Sequence, residues 1–436
     1  MRLAVWAGTG VGGTEKAATT YAAGLAQRGY EVDYLAPNGP RSDLLKKCGV
    51  RQIDVAPTSD SLRDYLKLVH PDIIHQHAPG YPVGNPLYSA LREMGVNRPK
   101  LIETNVFGRL EDAESEGLVD FRLFITMASG AQAAFRAGLK PTPGFFECQT
   151  VVYYPVAEPP AFDEGACAAL REELRIPADD VLAVRVGRPG GKWAAWECEA
   201  FRAARETVHG LRLFLMEPPH ALRARIERGV YGEGIVIRPV TSDFDWLARL
   251  YAASDLMIHT SDHGESFGYT IAEGMAAGLP VITRSTPWAD NAQVELVRNG
   301  ESGFVCWSVP EMGRRLVDLA QDRELRENLG RAAKVRILGL AAENHELDVL
   351  EEVIACVLHG KRGEKLRERT VASIDFAKDF RQLERQTSER NLHHKFDQSK
   401  ATAYSAFRKA RSAVRASFNR MRRRQIVWQP KLPNGI

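Results

Sequence analysis

The chain has 436 residues, 44% of them hydrophobic and 26% charged, with a formal net charge of +3, which excludes a disordered or collagen-like chain and suits two α/β domains plus an addition. Six cysteines stand singly, at 48, 148, 167, 198, 306 and 356, so neither a zinc site nor a disulfide framework is suggested, and free thiols fit a reducing cytosol. No apolar stretch approaches the roughly 20 residues that cross a bilayer, and the opening run from Met1 to Trp6 is too short for a signal peptide, so a cytoplasmic location is expected, peripheral at most to a membrane.

In chain order, Leu3–Ala7 reads as a buried strand leading into Gly8-Thr9-Gly10-Val11-Gly12-Gly13-Thr14-Glu15. This is G-x-G-x-x-G after a strand, with Asp33 twenty residues beyond Gly13, so a nicotinamide-dependent oxidoreductase or epimerase is one reading. A helix over Glu15–Arg28 follows, and then strands Val32–Leu35, Ile73–His75, Lys100–Thr104 and Leu123–Thr126, with a helix at Leu62–Val69. The proline-rich Tyr154–Pro160 segment reads as a linker. Alternation then restarts with strands Val181–Val186, Leu211–Met216, Ile235–Ile237, Leu256–His259 and Pro280–Thr283. Helices over Glu197–Val208, Trp246–Ala253 and Thr270–Ala277 lie between them.

Two Rossmann-like, doubly wound parallel-sheet domains facing a cleft are therefore expected, residues 1–154 and 161–359, with ligands at the carboxyl ends of the strands. Residues 360–436 form a third, basic and largely helical part. There basic residues outnumber acidic ones by roughly thirteen, so the rest is net acidic. Phe407, Ala410, Val414, Phe418 and Met421 fall at helical spacing among arginines. Residues 400–424 are read either as a solvated or self-docking helix or as an attachment to an anionic membrane surface. No base-reading module accompanies the charge, so nucleic acid is not expected.

The chemistry concentrates in Glu265-Ser266-Phe267-Gly268-Tyr269-Thr270-Ile271-Ala272-Glu273, between a strand and a helix. A loop carboxylate, Glu265, can face a sugar, while helix-borne Glu273 accepts hydrogen bonds from ribose hydroxyls. The amides of Phe267, Gly268 and Tyr269 sit where a helix N-terminus can hold a diphosphate. Upstream, Arg188 and Lys192 place two cations on the loop Val186-Gly187-Arg188-Pro189-Gly190-Gly191-Lys192, suited to neutralising a departing nucleoside diphosphate. Asp262 and His263 directly precede the motif, within reach of a sugar or acceptor. Asp243-Phe244-Asp245 matches a D-x-D metal motif, but its place before a helix reads as a cap.

Glu265…Glu273 with the following Gly274–Ile282, then Glu295-Leu296-Val297 and Gly303-Phe304-Val305, resembles the E-x7-E, E-x-V and G-F-V elements of family 4 glycosyltransferases of the GT-B fold, also called glycosyl transferases group 1. The resemblance covers roughly residues 1–355. It implies a retaining, metal-independent transferase using a nucleotide-diphosphate sugar, with a glycan, lipid-linked or small-molecule acceptor and no cofactor, in cell-surface glycan or glycolipid synthesis. It also implies an Arg188/Lys192 diphosphate clamp, and donor contacts from Gly12, Gly13, Val240 and His263. Asn105 stands where the family often carries a histidine, so the catalytic set becomes Glu265, Arg188, Lys192 and Asn105. An amide there can bond a sugar hydroxyl but cannot act as a base. His77, in His75-Gln76-His77, resembles the family's H-x-H stretch, a possible sugar contact beside a plain structural reading. A non-catalytic nucleotide-sugar-binding protein is the third alternative.

Overall fold

The computed structural model describes residues 1–188, 190 and 192–390, the last ten as backbone only. The first sheet comprises β1 (Arg2–Trp6), β2 (Glu31–Leu35), β3 (Arg51–Ile53), β4 (Ile73–Ala78), β5 (Lys100–Asn105), β6 (Phe121–Phe124) and β7 (Gln149–Val151). They are parallel, in the order β3-β2-β1-β4-β5-β6-β7. The second comprises β8 (Val181–Arg185), β9 (Leu211–Met216), β10 (Ile235–Arg238), β11 (Leu256–His259), β12 (Val281–Arg284) and β13 (Gly303–Cys306). These are also parallel, in the order β10-β9-β8-β11-β12-β13.

Central strands such as Leu3-Ala4-Val5 and Leu213-Phe214-Leu215 are buried throughout. Helices cover both faces of such sheets, so the strands carry unbroken apolar runs instead of alternation. The chain order reverses between β1 and β4 and again between β8 and β11. Crevices open at such switch points beyond the carboxyl ends. The loops leaving β1, β8 and β11 carry the glycines, Arg188 and Lys192, and Glu265, and the histidine pair lies within β4 itself. Three strands escape the sequence reading, β3, β7 and β13. All are outer strands of three or four residues whose runs are broken by Arg51-Gln52, Gln149-Thr150 or Gly303, whereas β10, equally short and outer, opens on the apolar Ile235-Val236-Ile237.

The stretch after residue 342 departs from expectation. The helix Glu343–His359, assigned above to the second domain, packs on the Gly13–Gln27 helix of the first. Gly24 there lies against Leu347, and a Cβ on it would come within 2.5 Å of the leucine. Arg28 pairs with Asp348 at 2.7 Å and also with Glu351. The last helix, Glu364–Arg390, then seats Ala377 and Phe380 on Ala128 and Ala131 of the Met127–Arg136 helix. The cause is an apolar stripe, Leu347, Leu350, Val353 and Leu366 onward, which has to be covered. The expected basic helix over 407–421, with the membrane-facing segment 400–424, lies outside the described residues.

A buried polar knot holds this return crossing. Val156 of the linker donates its N–H to the Ala341 carbonyl at 2.8 Å. The Tyr153 amide donates to Glu346 at 2.7 Å, Arg369 donates to the same carboxylate at 2.6 Å, and the Tyr21 hydroxyl donates to the Tyr153 carbonyl. Glu346 is wholly buried; burial pushes its carboxyl up to about 7, against the opposing pull of Arg369. Its folded value therefore lies above its unfolded one, and stability falls as pH rises through that interval.

Arg369→Met leaves a buried carboxylate unpaired at pH 8, a loss of about 3–5 kcal/mol. At pH 5 Glu346 is protonated in the folded chain and the substitution costs less. Differential scanning calorimetry at both pH values should show the larger drop in Tm at pH 8; equal drops would place the knot's energy elsewhere.

Candidate functional site

Two strand-end loops of the second lobe are braced by their own side chains. Arg185, at the end of β8, is buried and donates to Glu197 at 3.0 Å and to the Thr260 carbonyl at 3.2 Å. Glu197 also accepts from the Thr260 amide at 2.9 Å, and Trp193 stacks under the guanidinium at 4.4 Å. Trp193 donates its indole N–H to the Arg188 carbonyl at 2.8 Å. The loop after β8 and the loop after β11 are thus one unit. The sequence gives no sign of this, because neither residue of the pair lies in a motif.

Gly264 sits in the left-handed region at φ +63°, and a Cβ there would overlap the Asp290 carbonyl oxygen. Gly268 caps the Tyr269–Ala276 helix at φ +94°, and the first N–H groups of that helix have no intrahelical acceptor. Phe267 and Tyr269 turn their rings away to the linker. With Tyr154 they form a trio with centroids 5.0–5.6 Å apart, and the Tyr269 hydroxyl donates to the Pro155 carbonyl at 3.1 Å.

Glu265 and Lys192 meet at 2.9 Å. His259 Nε2 lies 3.1 Å from the other Glu265 oxygen, and Thr270 Oγ1 lies 3.2 Å from His259 Nδ1. Burial, with Arg185 nearby, keeps the imidazole neutral, so it donates to Glu265 and accepts from Thr270. Burial opposes ionisation of Glu265, yet Lys192 and His259 together hold its carboxyl far below the usual range. Gln293 accepts the Glu265 amide N–H at 3.1 Å, and the Ala292 N–H donates to the Glu265 carbonyl at 2.9 Å.

Glu273 faces the first lobe. Lys16, three residues past Gly13, pairs with it at 2.5 Å and lies 4.7 Å above the Tyr269 ring; the Tyr251 hydroxyl donates to its second oxygen at 3.1 Å. Lys16 and Tyr251 belong to the site and were missed, being distant from the motif in sequence. Arg188 is exposed. Asp262 is held by Arg284 at 2.9 Å. His263 is half-buried on the same loop. The Val240 amide donates to Glu217 at 2.9 Å while its side chain is exposed.

In the first lobe Gly13 abuts Tyr269, where a Cβ would come within 3.0 Å of the ring, and Gly12 lies beneath the Glu15 carboxylate. Glu15 also lines Gly8 and Gly10. An anion fills the cup that a dinucleotide's pyrophosphate needs, which removes the physical basis of the nicotinamide reading. Asn105 is buried and closes a ring on Arg109, accepting its N–H at 3.0 Å and donating to its carbonyl at 2.6 Å. It shapes the loop after β5 and is not drawn to Glu265. His75 and His77 stack at 5.1 Å; burial lowers His75 to about 4 and His77 further, so both are neutral. Asp243 caps the Phe244–Ala252 helix by accepting from the Trp246 amide at 2.9 Å.

The lobes are joined beside the site. Glu295 accepts from the amides of Met127 (3.1 Å) and Ala128 (2.8 Å) at the start of a first-lobe helix, and from the Tyr153 hydroxyl at 2.5 Å. Arg136, on the same helix, reaches Asp290 at 3.8 Å.

Two parallel sheets facing a cleft, with this strand–loop–helix site on the second, define a protein of the GT-B fold. Residues 181–322 match the family described as glycosyl transferases group 1, the family that the motifs of this lobe resemble. N-acetyl-alpha-D-glucosaminyl L-malate synthase of Bacillus anthracis is 33% identical over 92 residues, 21% of this chain and 23% of that protein. Spore coat protein SA of Bacillus subtilis is 30% identical over 91 residues, 20% and 23% of the two. The aligned stretch spans about a quarter of the length of these relatives. HepE of Anabaena, solved in complex with UDP and glucose, superposes with a TM-score of 0.65 at 16% identity, covering 81% of this chain and 99% of that one. A glycosyltransferase from Rickettsia africae gives 0.66 at 16%, covering 83% and 99%. WaaG, a glycosyltransferase involved in lipopolysaccharide biosynthesis, gives 0.57 at 16%, covering 82% and 100%.

Gly264→Ala should cost on the order of 1–3 kcal/mol from backbone strain alone and more from the overlap with Asp290. A thermal melt should show Tm lowered by several degrees; an unchanged Tm would mean that the loop is not fixed as described.

Proposed function

We propose that this protein is a retaining, metal-independent glycosyltransferase that moves a sugar from a nucleotide-diphosphate sugar to an acceptor hydroxyl. The observation that carries the reading is the pairing of Glu265 with Lys192 at the switch point of the second sheet, with Glu273 one helix turn inside and engaged from both lobes. Donor ribose hydroxyls take their acceptor in Glu273, and the diphosphate lies at the Gly268–Tyr269 helix start beside Arg188 and Lys192. In the transfer, the bond from the anomeric carbon to the diphosphate oxygen breaks and its electron pair leaves with the diphosphate. The acceptor oxygen bonds that carbon on the same face, and its proton passes to the leaving phosphate or to solvent. Lys192 and Arg188 supply positive charge where the negative charge develops. Ionised Glu265 faces the anomeric centre, where positive charge grows. Closure of the lobes around the donor excludes water and limits its hydrolysis.

The first test is a thermal-shift screen of the intact protein against UDP, GDP, ADP, dTDP, NAD and their sugar conjugates. One nucleoside diphosphate should raise Tm, more so with one sugar attached. By calorimetry Glu273→Ala should weaken that nucleotide by about 10- to 100-fold, roughly 1.5–3 kcal/mol for hydrogen bonds to a charged group. Stabilisation by NAD alone would overturn the reading.

The charge of residues 400–424 supports a peripheral place on an anionic membrane surface, where lipid-linked glycan acceptors reside. Removing the residues after 390 should abolish sedimentation with vesicles containing 30 mol% phosphatidylglycerol; equal sedimentation of the shortened chain would dismiss the membrane role.

A further inference from the structure

The first lobe holds a cavity of about 340 Å3 beyond the carboxyl end of β5, lined among others by Gly80, Glu103, Asn105, Arg109, Asp112 and Arg122. Its walls are built firmly. Asn105 fixes the Arg109 backbone from both sides, and the Glu111 N–H donates to the Gly80 carbonyl at 3.0 Å. Gly80 is at φ +73°, where a Cβ would collide with Arg109 and Asn105.

The Arg109 side chain, by contrast, is left over. Its Nε is buried without a hydrogen-bond partner, and the guanidinium makes no ion pair within 4 Å among the described residues; the Tyr81 ring approaches at 5.8 Å, and the charge is felt by Asp290 from farther off. Arginine carries five donors and no acceptor, and a buried donor without a partner costs about 1–3 kcal/mol. Such a group in a fixed wall calls for an oxygen from outside the chain.

The other walls narrow the chemistry. Glu103 is balanced by Arg122 at 2.9 Å and by the Tyr88 hydroxyl at 2.5 Å. Asp112 accepts from the Glu114 amide at 3.1 Å, and burial raises its carboxyl. Exposed Glu111 and Glu116 add negative charge at the rim. Carboxylates outnumber guanidinium groups, which disfavours an anion, and Leu110 and Ala113 alone are too little apolar surface for a lipid chain. Donors and acceptors mixed around a volume near the lower end of small-molecule pockets suit one neutral ring rich in hydroxyls.

The cavity also borders the cleft. Arg136 donates to the Phe107 carbonyl of the same loop at 3.0 Å and reaches Asp290 of the second lobe at 3.8 Å. Asp290 lies two residues before Ala292, which bonds the Glu265 carbonyl. We propose that this cavity is a binding subsite for a neutral, hydroxyl-rich sugar group of the acceptor, with Arg109 donating to its oxygens. Calling the ligand an acceptor rests on the transferase reading; the binding site itself does not.

Saturation-transfer NMR on the full-length protein, without nucleotide, tests it with methyl glycosides of the common hexoses, glucuronate and glucose 6-phosphate as probes. At least one methyl hexoside should give transfer, and Arg109→Leu should weaken it at least tenfold while leaving the nucleotide response of the thermal screen unchanged. Transfer to the anionic sugars alone, to none of the probes, or undiminished in Arg109→Leu would overturn the proposal. Should Arg109→Leu fail to fold, Asp112→Asn, which keeps an oxygen for the Glu114 amide, is judged by the same tenfold criterion. A protein that binds a nucleotide but no hexoside refutes the subsite and leaves the transferase reading standing. One that binds a hexoside but no nucleotide does the reverse.

Discussion

The Glu295 carboxylate at the start of the Met127–Arg136 helix is the contact on which the geometry of this molecule depends. A helix N-terminus offers unpaired N–H groups and partial positive charge, and carboxylates that meet them usually come from the same chain segment. Here the carboxylate comes from the opposite lobe, and Tyr153, at the mouth of the linker, closes the third side. Burial raises the Glu295 carboxyl, and the three donated hydrogen bonds offset that cost. With this contact in place, Thr126 meets the Ser266 carbonyl at 3.3 Å and Gln132 meets the Ala289 carbonyl at 3.2 Å. The loops that bear Glu265 and Asp290 are thereby held against the first lobe.

Within that frame, the cleft pairs its charges internally. Lys192 is matched by Glu265 and Lys16 by Glu273, each pair joining segments far apart in the chain. A nucleotide-diphosphate sugar carries both kinds of complement, anionic phosphates for the ammonium groups and hydroxyls for the carboxylates. Under the proposed function, binding it would exchange partners without leaving Glu265 or Glu273 bare, the step that would otherwise cost most. The Lys16–Glu273 pair gives this exchange a conformational consequence, because its two members sit on different lobes. Under the proposed function, donor recognition by Glu273 and the closeness of the lobes would be one equilibrium.

How far this was legible in the sequence follows from where each interaction lies along the chain. Central strands were readable because burial on both faces demands unbroken apolar runs; β3, β7 and β13 were not, because polar residues or a glycine interrupt runs that are already short, whereas the equally short edge strand β10 opens on three β-branched apolar residues. Glu265 and Glu273 were readable because loop and helix are neighbours in sequence. Their partners were not: Lys16 lies 257 residues from Glu273, and no local rule links them. Arg185 and Glu197 look like any charged pair near a helix start until folding buries both. Asn105 illustrates the opposite limit. Its position matched a site residue, but its amide is engaged with the Arg109 backbone, so residue type and location together did not settle its role. The two helices after residue 342 show a third case, in which the apolar stripe was visible and the surface it covers was not.

The glycine-rich loop after β1 shows why charge has to be weighed with spacing. Its glycines follow a strand and open a helix, which satisfies every backbone requirement of a dinucleotide site. What decides against that ligand is a single side chain. Glu15 folds back over Gly8, Gly10 and Gly12 and places a carboxylate where the pyrophosphate would lie. The glycines then have another explanation: they make room for Glu15 itself, and at Gly13 for the ring of Tyr269 from the other lobe. The Tyr34 hydroxyl donates to the Gly8 carbonyl at 2.7 Å and Arg41 donates to the Gly10 carbonyl at 3.1 Å, so the loop is pinned from behind. Small residues let the two lobes approach closely enough for Lys16 to reach Glu273. The same spacing that builds a phosphate cradle in one setting builds a lobe contact in this one, and the sign of one neighbouring charge separates the two.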